Sequence, residues 1–92
     1  MAVAVEDEVE AVEAAYIQGD HQKLLSFCSS PYIRVQVMAT CRLYILKQID
    51  SDMVISKLER MKDDVSLTMI VNHHINKKDI KSSQLRQFLQ FP

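Results

Sequence analysis

The chain has very few of the residues that bend a backbone. Its 92 residues include one glycine, Gly19, and two prolines, Pro31 and Pro92. A β-rich chain needs turn-forming residues at short intervals, so this scarcity argues against one. Long apolar runs are missing as well. Arg34 and Arg42 interrupt the best stretch, and no membrane span is expected. The two cysteines, Cys28 and Cys41, stand well apart, each in apolar surroundings. That spacing makes neither a CxxC pair nor a disulfide framework. Both read as small buried core residues of a reducing compartment. The N-terminus is acidic where a secretory signal would be basic, so the expected location is the cytoplasm.

The motifs of catalysis are equally scarce. No Gly-rich phosphate loop, serine or cysteine nucleophile motif, or basic–aromatic platform is present. His73-His74 is the one tempting pair. Adjacent helical residues point about 100° apart, so the two do not easily share a metal, and neither cysteine has ligand spacing. No enzyme activity, cofactor or metal is expected. The third choice behind two binding roles is a regulatory enzyme subunit that uses His73 and His74.

What is present is a globular balance, 48% hydrophobic and 25% charged, in a chain of one-domain length spanning residues 1–92. A net charge of −1 implies no general attraction to nucleic acid. The charge is unevenly placed. Glu6, Asp7, Glu8, Glu10 and Glu13 crowd the N-terminal segment, whereas Lys77, Lys78, Lys81 and Arg86 crowd the C-terminal one. These are two solvated helix faces, or they steer partners of opposite charge.

Helical periodicity runs through most of the chain. Val5, Val9, Val12 and Tyr16 fall on one face and predict a helix over 4–18, with acidic residues in its first turns. Gly19 stops it and Asp20 caps a short helix over 21–28. Ser30 as a cap and Pro31 at the first helical position open the longest helix, 31–48. Within it, Ile33-Arg34-Val35-Gln36-Val37 alternates like a strand, but no hairpin turn accompanies it. Asp50 or Ser51 caps a helix over 52–62, Asp63 or Asp64 one over 65–76, and Asp79 one over 80–90. The fold class is all-α, with six short helices.

The capping aspartates Asp20, Asp50 and Asp79 recur at a nearly constant interval. A longer helix precedes each cap and a short one follows it. Three helix–turn–helix pairs at such a period suggest an α-solenoid, since each pair must stack on a neighbour to bury its apolar face. Gly19-Asp20 at the turn, the small Cys41 and the closing Pro31 favour a tetratricopeptide-like unit. HEAT-like stacking is the alternative, because Ser29-Ser30-Pro31-Tyr32-Ile33-Arg34 also looks like a HEAT inter-helix turn. In the tetratricopeptide-like register Tyr16, Val35, Met38, Arg42, Ile45, Met69 and His73 line a concave groove. Five methionines suit an adaptable surface for a partner helix.

From Gly19-Asp20 to Asn72 the chain resembles the small cytoplasmic chaperones of type III secretion needle subunits, the YscG/PscG/EscG group. The resemblance rests on Gly19-Asp20, Leu25, Pro31, Ala39-Thr40-Cys41-Arg42-Leu43-Tyr44, Lys57-Leu58-Glu59-Arg60 and Asp63. It covers the middle of the chain and contains no invariant motif. It implies three tetratricopeptide-like pairs, a very small helical co-chaperone, and a groove that holds the amphipathic C-terminal helix of the needle subunit. Such a virulence chaperone works in a heteromeric complex that prevents premature polymerisation. The alternative function is a HEAT-like adaptor or immunity protein that blocks a partner through a charged face.

Overall fold

The computed structural model describes residues 5–61 and 67–89. They form six α-helices: α1 (Val5–Gln18), α2 (His21–Phe27), α3 (Ile33–Ile45), α4 (Ser51–Leu58), α5 (Leu67–His74) and α6 (Ser83–Phe88). Single 3₁₀ turns occupy Glu59–Met61 and Lys77–Asp79. No strand occurs among the described residues.

The first two helix–turn–helix units use the same local chemistry. At the end of α1, Gly19 takes φ 69°. Its N–H donates to the Tyr16 carbonyl at 3.1 Å, and the Asp20 N–H donates to the Ala15 carbonyl at 2.9 Å. This paired pattern satisfies the last carbonyls of the helix. Asp20 then caps α2 by accepting from the Lys23 N–H at 3.2 Å. The end of α3 repeats the arrangement with Lys47 at φ 60°. Lys47 N–H donates to Tyr44 and Gln48 N–H to Leu43, both at 3.0 Å. Asp50 caps α4 through the Met53 N–H at 2.9 Å.

Three expected boundaries are corrected. Asp79 is not a cap: it closes a 3₁₀ turn, and Ser82 caps α6 by accepting from the Leu85 N–H at 3.2 Å. The third unit therefore departs from the period of the first two. Ser30-Pro31 does not open α3 either. The helix starts at Ile33 after Tyr32, which makes no side-chain cap bond. The Ser30 hydroxyl instead donates to Glu8 at 2.8 Å and accepts from the Tyr32 N–H at 3.2 Å. It thus pins the turn against α1. The C-terminal end of α3 also comes earlier than expected, because Lys47 reverses the chain. The expected caps Asp63 and Asp64, the fifth helix's start and residue 62 lie outside the described residues.

The strand-like alternation in α3 has a simple cause. α1 and α2 pack on one side of this helix, and α4 and α5 on the other. Val35, Met38, Ala39 and Leu43 join Val12, Ala15 and Leu24 in one apolar cluster. Val37 and Cys41 join Val54, Leu58, Val71, Ile80 and Leu85 in a second. A helix covered on two sides needs apolar residues around most of its circumference, which blurs its amphipathic period. α4 also packs against α6, and the body measures 40 × 26 × 19 Å.

Candidate partner-binding face

Arg34, Met38, Arg42 and Ile45 recur at spacings of 4, 4 and 3, so they lie along one side of α3. α1 borders this side on one flank and α5 on the other. Toward α1, an Arg42 guanidinium nitrogen donates to Glu13 Oε2 at 2.8 Å. The same guanidinium lies over the Tyr16 ring, 4.7 Å from its centroid. These contacts hold the side chain flat across the α1–α3 seam. Its Nε is buried and has no hydrogen-bond acceptor among the described residues.

Toward α5, Arg34, Met69, Ile70, His73 and His74 line a shallow depression of about 310 Å³. The His73 and His74 rings meet edge to face, 5.0 Å between centroids and 83° between planes. His74 is half-buried, and its pKa is pushed down to about 4. Loss of water around the ring is the largest cause. The positive charges of Arg42, His73 and Arg34 add to it, and Glu13 opposes it. His74 also lines a larger open depression of about 910 Å³, together with Tyr44, Ile45, Ile49, Ile75 and Lys81. The two depressions therefore meet at this ring.

The structure divides the seven expected groove residues. Tyr16 and Arg42 stack on each other, Ile45 is 38% exposed in the larger depression, and Met69 (73% exposed) and His73 rim the smaller one. Val35 and Met38 are core residues and line no groove, being 0% and 2% exposed. They are consumed in sealing the first helical pair to α3. Arg34 and His74 were missed. Arg34 precedes Met38 by one turn, and that spacing was a usable signal. Ile17, 76% exposed near the end of α1, was missed too, because its neighbour Tyr16 satisfied the apolar period.

Two other features differ from their simplest reading. Glu8 and Glu13 are not merely solvated, since they bond Ser30 and Arg42. Cys28 is only half-buried, with its Sγ 3.6 Å from Thr40 Oγ1, whereas Cys41 is fully buried. Burial pushes the Cys41 thiol up to about 12, with Arg42 opposing and Cys28 adding to the rise. The thiol stays protonated and is a poor nucleophile. Among the described residues no cluster of three His, Cys, Asp or Glu side chains is placed to hold a metal ion. No described helix is long and apolar enough to cross a membrane. No protein-family profile, curated protein or solved structure matches the chain.

Proposed function

We propose that this chain is a non-catalytic, cytoplasmic, tetratricopeptide-like chaperone that holds an amphipathic helix of a self-assembling partner, in the manner of type III secretion needle-subunit chaperones. The carrying observation is the α1–α3–α5 face. α1 and α5 both pack on α3, and Ile45 and Met69 remain exposed beside Arg34 and Arg42, with Ile17 exposed near the end of α1. Apolar side chains held in water on adjoining helices are what a partner helix covers. The shared turn of the first two units supports the repeat reading, and the sequence resemblance supports the choice of partner.

The role requires a needle subunit and a very small helical co-chaperone as partners. Affinity purification from the native cytoplasm, followed by mass spectrometry, tests it. The expected result is stoichiometric recovery of two very small helical proteins, and Ile45→Glu should abolish that recovery with helicity unchanged. Recovery of a large folded enzyme or toxin in their place refutes the chaperone reading in favour of an immunity or adaptor role.

A further inference from the structure

The charges on the α1–α3–α5 face do not balance. Arg34 and Arg42 gather at its centre beside the rings of His73 and His74, and Glu13 is the one carboxylate among the groups that act on His74, whose lowered pKa keeps it neutral. Glu13 is already bonded to Arg42 at 2.8 Å. Arg34 is exposed and has no ion pair or hydrogen bond among the described residues. Beside it stands the nearly naked Met69. The larger depression adds Ile45, Ile49 and Ile75, with both Lys81 and Asp79 at its edge. Asp50, which caps α4 through the Met53 N–H, and Lys47 also border it. The face thus offers cation and apolar surface together at the Arg34 end, and mostly apolar surface with mixed charge at the other.

Given the helix-binding role proposed above, the geometry points to an acidic amphipathic helix as the occupant, with carboxylates set against Arg34 and His73 and apolar side chains over Met69 and Ile45. A lysine or arginine at the Arg34 end meets like charge, so the face selects against basic helices as well as for acidic ones. A second copy of this chain fits less well. On α1 the exposed acids Glu6, Asp7 and Glu10 are accompanied by one exposed large apolar residue, Ile17, because Val5, Val9 and Val12 face the core, and on α4 the exposed Asp52 is accompanied by Met53 alone. Docking either helix of another copy would bring one large exposed apolar side chain where Met69 and Ile45 call for two.

Two synthetic helical peptides with one shared apolar stripe test this. One carries glutamate and the other glutamine at the flanking polar positions, and fluorescence anisotropy with the full chain reads their binding. The glutamate peptide is expected to bind about tenfold more tightly. Arg34→Glu, an exposed substitution whose fold is checked by circular dichroism, should erase that preference and leave the glutamine peptide's Kd unchanged. Equal binding of both peptides, indifferent to Arg34→Glu, overturns the acidic preference while the helix-binding role stands. Failure of both peptides to bind overturns the two together. Sedimentation showing a dimer that Met69→Glu dissociates assigns the face to a second copy and overturns the acidic partner.

Discussion

Gly19 and Lys47 occupy the same place in two successive units, each just past the end of a longer helix and each in the left-handed region, at φ 69° and 60°. The hydrogen bonds around them match donor for donor. Only glycine takes this conformation without a penalty, so the second turn carries strain that the first does not.

Lys47→Gly should therefore stabilise the protein by about 1 kcal/mol, and Gly19→Ala should destabilise it by about 1 kcal/mol. A Cβ at Gly19 meets nothing within 4 Å, so this loss is conformational and not steric. Urea unfolding midpoints with an unchanged m-value are the check.

Met38→Glu places a carboxylate in the sealed cluster between α1, α2 and α3. The expected cost is about 3–5 kcal/mol, which for a domain this small amounts to loss of cooperative unfolding. Ile45→Glu on the open face should leave far-UV helicity and the urea midpoint nearly unchanged. Comparable loss in both variants would show that Ile45 is also structural.

The pH dependence follows from His74. Its folded pKa, about 4, lies below its ordinary value of 6.5. The unfolded chain therefore takes up the proton first on acidification. Stability from this group is complete above about pH 6.5 and falls until about pH 4, below which both states are protonated. His74→Gln should flatten that part of the stability profile relative to the unsubstituted chain, measured as the urea midpoint across the same window.

Thiol modification should separate the cysteines. Cys28 is partly open and should react with a thiol reagent in the native protein, whereas Cys41 should react only as fast as the chain unfolds. Mass spectrometry of a timed labelling series distinguishes one native adduct from two.

The sequence alone determined the local events. Asp20 and Asp50 cap helices where their spacing placed them, and Gly19 ends α1 where glycine is needed. These outcomes depend on a few adjacent residues, so they are legible without the fold. The Ser82 cap was missed because two candidate capping side chains, Asp79 and Ser82, lie close together in sequence. In the structure Ile80 is buried and the helix starts after it, at Ser83.

Only the tertiary structure decided which apolar residues are spent. Val35, Met38 and Ile45 are alike in type and register along α3, yet the first two are sealed and the third is open. The reason is that burial is settled by neighbouring helices. α1 and α2 close over the side of α3 that carries Val35, Met38 and Leu43, whereas Ile45 opens into the larger depression. The cationic middle is a tertiary fact as well. Arg34 and Arg42 come from α3 and the neutral His74 ring beside them from α5, far along the chain, and only the packing of α5 on α3 brings them together.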